Sequence, residues 1–167
     1  LQSRSLIVAL ILAGILLAAT ASAEPPRHQP KNLREVAPVW TDSTQLDGKV
    51  VYLDFFASWC TPCALSFPFM KELNREYADK GLQIIAIDLD KDSTEATAFL
   101  ERMRPPYRIV NDPEGALAKK YDLKAVPSSF LYGKDGTLRE VYQGFVAADT
   151  ADIREGILRL LEEKKKP

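Results

Sequence analysis

Cys60 and Cys63 are the only cysteines among 167 residues, and they stand two residues apart in Trp59-Cys60-Thr61-Pro62-Cys63. Two thiols at this spacing can close into a disulfide and reopen, so the pair can carry two electrons as a dithiol/disulfide couple. The same spacing is half of a zinc site, but the sequence has no second cysteine pair and only one histidine, His28. An inert structural bridge here would close a four-residue loop and constrain little. No metal and no cofactor are therefore expected, and redox exchange is the chemistry the pair suggests.

The elements around the pair decide which cysteine does what. Val50–Phe56 is almost continuously apolar, with β-branched and aromatic residues, as expected of a central strand buried on both faces. Asp54 is the one anomaly in that run. After Cys60, the spacing of Phe67, Met70, Leu73 and Tyr77 puts one apolar stripe on a helix, which Pro68 should kink. The first cysteine then sits at a helix N-terminus, where unpaired N–H groups and the helix dipole favour a thiolate below the ordinary pKa of ~8.5. Cys60 is the expected nucleophile. Cys63, one turn further in, is expected to be more buried and to resolve the mixed disulfide formed at Cys60. Pro62 lacks an N–H and fixes its φ, which suits the first turn.

The remaining pattern alternates. Residues 83–87 read as a second buried strand ending in the polar loop of Asp88, Asp90 and Asp92. Ala96, Phe99, Leu100 and Met103 mark a helix, with Asp92 and Glu95 spaced as its capping box and Pro105-Pro106 ending it. A short strand over 107–110 and a short helix over 114–121 follow. Residues 129–132 and 138–142 flank Gly133-Lys134-Asp135-Gly136 as a hairpin of antiparallel edge strands. Ile153, Ile157, Leu160 and Leu161 mark a last helix, whose dipole Lys164, Lys165 and Lys166 should complement. The order β, α, β, α, β, α, β, β, α predicts an α/β fold, a mixed sheet with helices on both faces.

The charges, 22 Lys+Arg against 23 Asp+Glu, leave no basic excess for a phosphate backbone, so nucleic-acid binding is not expected. The N-terminus reads as a separate module. Arg4, an apolar run over 6–19 and Ala21-Ser22-Ala23 have the layout of a secretory signal cleaved after Ala23. The alternative is a retained membrane tether through residues 6–23, near the ~20 residues that span a bilayer. The expected organisation is 1–23 signal or anchor, 24–37 a proline-rich tether and 38–167 the folded domain.

Leu53-Asp54-Phe55-Phe56-Ala57-Ser58-Trp59-Cys60-Thr61-Pro62-Cys63 resembles the strand-plus-active-site signature of the thioredoxin superfamily, and Pro68 falls at that family's helix-kinking proline. Val126-Pro127-Ser128-Ser129-Phe130 resembles its second landmark, a V-P-T-x-F segment whose proline is cis. Asp112-Pro113-Glu114-Gly115, Ala118, Tyr121 and the inserted helix around Phe99 are similar to the exported TlpA/ResA type of thiol-disulfide oxidoreductase. The resemblance implies a thioredoxin fold with a C-terminal hairpin and helix, and Pro127 beside the cysteine pair. Val126 and Pro127 would present a backbone edge to an extended substrate, with Trp59, Thr61 and Pro62 as the exposed rim.

Asp54 lies where thioredoxins carry a buried acid; burial raises its pKa and lets it accept a proton from Cys63. The alternative for Asp54 is a hydrogen-bonded structural acid. Phe56 stands where the family often has tryptophan, and the chain before Leu46 is shorter than in relatives that fit a hairpin there. The function implied is an extracytoplasmic thiol-disulfide oxidoreductase, a monomer. It would reduce disulfides of secreted proteins, with apocytochrome c among them, and be recharged by a membrane thiol-electron transporter. Two other readings use the same residues. A thiol peroxidase would work through a sulfenic acid at Cys60, without the upstream threonine-rich signature of such enzymes. A copper-binding or chaperone module would need C-x-x-x-C and a distant histidine in place of C-x-x-C.

Overall fold

The computed structural model describes residues 29–36 and 43–164. The signal or anchor over 1–23, the tether over 24–28 with His28, and Lys165 and Lys166 lie outside them. Five strands, β1 (Val50–Phe56), β2 (Leu82–Asp88), β3 (Arg108–Asn111), β4 (Ser128–Tyr132) and β5 (Leu138–Gln143), form one sheet in the order β3-β2-β1-β4-β5. β1, β2 and β3 run parallel, while β4 is antiparallel to β1 and β5 to β4. This is the thioredoxin fold that the resemblance implies. β4 is not an edge strand, however: it lies between β1 and β5, which explains why Ser128–Tyr132 is buried throughout where an edge strand would alternate.

β1 is central and buried along its whole length, and its alternating side chains feed two apolar layers. Val50, Tyr52 and Phe56 face α1 (Thr61–Tyr77), α2 (Ser93–Met103) and α4 (Asp149–Glu162). Val51, Leu53 and Phe55 face α3 (Ala116–Lys120) and the N-terminal segment. On the first layer Phe56 packs edge-on against Phe67 of α1 with ring centroids 4.9 Å apart. Phe67 meets Phe99 of α2 at 5.0 Å. The phenylalanine at 56 thus fills an aromatic cluster that holds the start of α1 against the end of β1. Gly156 lets α4 approach β5 closely, since a Cβ there would lie 2.6 Å from Glu140 Oε2.

Two local features differ from their sequence readings. Residues 29–36, the second part of the stretch read as a tether, pack on the domain. Leu33 and Val36 are buried, Leu33 N–H donates to Gly136 O and Leu138 N–H to Lys31 O, both at 2.8 Å. Two apolar side chains spaced to dock outweigh the proline content. At Gly136, with φ +76°, Asn32 Oδ1 lies 3.1 Å from where a Cβ would project, so this crossing fits glycine. Asp92 does cap α2, accepting from Thr94 N–H at 2.7 Å, but Glu95 makes no return bond. The carbonyls at the end of α4 are met by Lys134 from the hairpin turn, whose Nζ donates to Leu161 O at 2.6 Å and Glu163 O at 2.9 Å.

Asp112 illustrates how a loop acid can fix a short element. Its Oδ2 accepts from Leu117 N–H and Ala118 N–H, both at 3.0 Å, and the side chain is buried. It supplies acceptors that the first turn of α3 otherwise lacks. Asp112→Ala is expected to cost about 1–3 kcal/mol of stability, read as a lower urea midpoint with unchanged slope.

Candidate active site

β1 ends at Phe56, and Ala57-Ser58-Trp59 lead directly into α1. Cys60 is the N-cap residue of α1, with extended backbone, and its Sγ accepts from Cys63 N–H at 3.2 Å. Pro62 occupies the first turn, where its missing N–H costs nothing. Cys60 and Cys63 are joined as a disulfide with Cα atoms 5.3 Å apart. When the bridge opens, a charge left on Cys60 Sγ meets an aligned N–H and the positive end of α1, whose first turn carries no acid. Cys63 is 0% exposed and surrounded by apolar side chains, which favours its neutral thiol. The two sulfurs are therefore chemically unequal.

The rim divides by exposure. Trp59 is 69% exposed and Thr61 is also exposed, while Pro62 is half-buried. The Val126–Pro127 peptide bond is cis. Pro127 is buried and its carbonyl accepts from Gly144 N–H at 2.8 Å, so β5's end holds it. Val126 is half-buried, lies before β4 and outside its strand pairs, and packs on the cluster that contains both cysteines.

Asp54 is 1% exposed and opens onto the same layer, flanked along β1 by Tyr52 and Phe56 of the cysteine cluster. Its Oδ1 accepts from Ser129 Oγ–H at 2.7 Å, and Ser129 Oγ accepts from Tyr52 O–H at 2.8 Å. Its Oδ2 is buried without a hydrogen-bond partner among the described residues, as is the Tyr107 hydroxyl. Burial pushes the Asp54 carboxyl up to about 7, against the pull of the Ser129 bond. An acid with this midpoint can take and return a proton near neutral pH. Cys60, Cys63, Asp54 and Val126 thus share one layer of the molecule, with Trp59 and Thr61 at its solvent side.

Two supports have no counterpart in the sequence reading. Tyr52 carries no motif of its own and Ser129 stands at the variable position of the Val126–Phe130 segment, so only the register that sets Asp54 opposite Ser129 joins them to Asp54. Asp90 accepts from Ser58 N–H at 2.7 Å and from Ser58 Oγ–H at 3.0 Å, pinning the residue before Trp59. The signal for Asp90 was its place at the end of β2, parallel to β1, because parallel neighbours end at the same side of a sheet. Asp88 accepts from Asp90 N–H at 2.9 Å, and burial raises its carboxyl above the ordinary range. Among the described residues, no group of three or more His, Cys, Asp or Glu is placed to hold a metal ion.

Comparison with known proteins agrees with this geometry. A family model described as Redoxin matches residues 31–157. Thiol-disulfide oxidoreductase ResA of Oceanobacillus iheyensis is 32% identical over 115 residues, 69% of this chain, and the chain spans 58% of that protein's length. Thiol:disulfide interchange protein CycY of Rhizobium leguminosarum bv. viciae is 33% identical over 144 residues, 86% of this chain and 72% of that one. A crystal structure from Chlorobium tepidum, described as thiol:disulfide interchange protein DsbE, superposes with a TM-score of 0.69 at 37% identity. The superposition covers 71% of this chain and 84% of that one.

Proposed function

This chain belongs to the Redoxin family of the thioredoxin superfamily, ResA-like in type, and on that premise we propose that it reduces disulfides of exported proteins outside the cytoplasmic membrane. The observation that carries the reading is the Cys60–Cys63 couple at the N-terminus of α1, with Cys63 N–H directed at Cys60 Sγ. Asp54 beneath it, able to exchange a proton near pH 7, supports the same chemistry.

In the proposed cycle Cys60 thiolate attacks one sulfur of a partner disulfide. A Cys60–partner bond forms, the partner's own S–S bond breaks, and its first thiolate leaves and is protonated by water. Cys63 then gives its proton to Asp54 and attacks Cys60 Sγ. The Cys60–Cys63 disulfide forms and the second partner thiolate leaves. The partner gains two electrons and the chain loses two. Trp59, Thr61 and Pro62 form the rim a partner touches, and the Val126 backbone beside Pro127 offers it an edge to pair with.

The sequence supports a location and partners for this reading. Arg4, the apolar run over 6–19 and Ala21-Ser22-Ala23 support export, with residues 6–23 either cleaved or kept as a tether. The 167 residues hold no third cysteine to act as a relay. A separate dithiol is the proposed source of electrons, for which a membrane thiol-electron transporter suits an exported protein. An apocytochrome c is one substrate of this class, since its haem-attachment cysteines must be reduced. The direct test is insulin reduction: the dithiol protein is expected to speed precipitation of the insulin B chain in the presence of a chemical reductant. Precipitation no faster than with the reductant alone would reject a reductase.

A further inference from the structure

Asp54 is bonded through one oxygen only. β1 and β4 place Asp54 opposite Ser129, and Tyr52 lies two residues back on the same face of β1. The resulting chain runs from Tyr52 O–H to Ser129 Oγ at 2.8 Å and from Ser129 Oγ–H to Asp54 Oδ1 at 2.7 Å, all of it buried. The direction of this chain is fixed by hydrogen count. An ionised carboxylate only accepts, and a serine hydroxyl has one hydrogen. Ser129 must therefore donate to Asp54 and can only accept from Tyr52.

The consequence concerns which form of the carboxyl the chain favours. With Asp54 ionised, the two hydrogens of Tyr52 and Ser129 fill the two contacts and every donor is paired. A proton on the carboxyl adds a third hydrogen to the same two contacts: on either oxygen it leaves one buried donor unpaired, since Oδ2 has no partner of its own. We propose that Ser129 and Tyr52 are positioning residues whose ordered hydrogen bonds favour the ionised Asp54 carboxylate, the form that can take the proton from Cys63. This rests on the reading of Asp54 as the proton acceptor of Cys63.

The surroundings leave the pair in control of the carboxyl. Its neighbours in register are Ala86 on β2 and Ser129 on β4, and the apolar layer over it includes Ile153 and Ile157 of α4. The titratable groups in the same layer are Tyr52 on its own strand, Tyr107 in the segment before β3, and Cys63 on α1. Tyr142 on β5 bears on Tyr52, and the charge of Asp54 is felt at Tyr107. No lysine, arginine or second carboxylate among the described residues shifts Asp54 itself.

The test titrates the Asp54 carboxyl directly, by carbon-detected NMR of the oxidised full chain, in Ser129→Ala, Ser129→Thr and Tyr52→Phe proteins. Loss of one hydrogen bond to the charged form should raise the midpoint by about one pH unit in Ser129→Ala. Ser129→Thr, which keeps the hydroxyl, should restore it. Tyr52→Phe should raise it by less, because Ser129 can still donate but its hydroxyl is no longer polarised by the Tyr52 hydrogen. An unmoved midpoint in Ser129→Ala, or no restoration by threonine, overturns the proposal. If Ser129→Ala does not fold, Tyr52→Phe decides in the same way: an upward shift supports the proposal and an unmoved midpoint overturns it. Failure of the underlying reading looks different. Asp54→Asn would then resolve mixed disulfides with the wild-type pH profile while the Ser129 variants still moved the carboxyl.

Discussion

Cys60→Ser is expected to lose disulfide reduction by roughly a thousandfold or more, whereas Cys63→Ser should still attack and then stall as a stable mixed disulfide with its substrate. The asymmetry follows from the first turn of α1. Cys60 Sγ receives the Cys63 N–H, which favours its thiolate, and at 5% exposure beside the exposed Trp59 Cys60 is the less buried of the two cysteines. Cys63 is shielded from solvent and has only one electrophile within reach, the sulfur of Cys60. The check is non-reducing electrophoresis and mass spectrometry after mixing each reduced variant with oxidised substrate. Cys63→Ser should show the adduct and Cys60→Ser should not. Equal residual activity in the two variants would contradict the assigned order.

Asp54→Asn should make the oxidised protein more stable at alkaline pH while slowing the resolving step. Burial pushes the native carboxyl up to about 7 from the ordinary aspartate value of about 3.8. Below the unfolded value both states hold the proton, and the group leaves stability unchanged. As pH rises from about 4 towards 7 the unfolded chain loses the proton first, so stability falls, and it levels off once the native carboxyl has ionised. Three units at 1.36 kcal/mol each give a cost of about 4 kcal/mol on the alkaline plateau. Asparagine keeps the size and an acceptor for Ser129 but carries no charge. Its urea midpoint should match wild type near pH 4 and exceed it clearly at pH 8.5. Resolution of the mixed disulfide should slow by roughly 10²-fold and lose the pH limb near 7. A variant no more stable than wild type at pH 8.5 would show that the carboxyl is not buried as a charge.

Local pattern carried most of the fold into the sequence. The apolar run of Val50–Phe56, interrupted only at Asp54, reads as a strand covered on both faces, and the stripe from Phe67 to Tyr77 reads as a covered helix face. Between them the cysteines had one place to go. What local pattern does not encode is which strands become neighbours. The chain from Tyr52 through Ser129 to Asp54 depends on a contact between residues 75 apart in sequence. The same applies to Asp90, whose bonds to Ser58 span 32 positions. Asp54 was visible because it breaks an apolar run. Ser129 was not, because a serine in a strand breaks nothing.

The misread part of the tether has the same origin. Prolines made the whole of 24–37 read as a stiff tether, but Leu33 and Val36 are buried in the layer that holds Leu117 and Tyr121, which ties residues 29–36 to the domain. At the end of α4, Lys134, brought in by the hairpin turn, reaches the terminal carbonyls, a contact that no local pattern announces.

The reduction potential of the Cys60–Cys63 couple bears most directly on the proposal that this chain donates electrons to disulfides. Equilibration of the full chain in redox buffers of graded composition, read by alkylation of free thiols, should give one reversible two-electron transition at roughly −200 to −270 mV, in the range of disulfide-reducing thioredoxin-fold proteins. A transition near −120 mV would make the chain an oxidant, and one well below about −300 mV would make the bridge a structural disulfide.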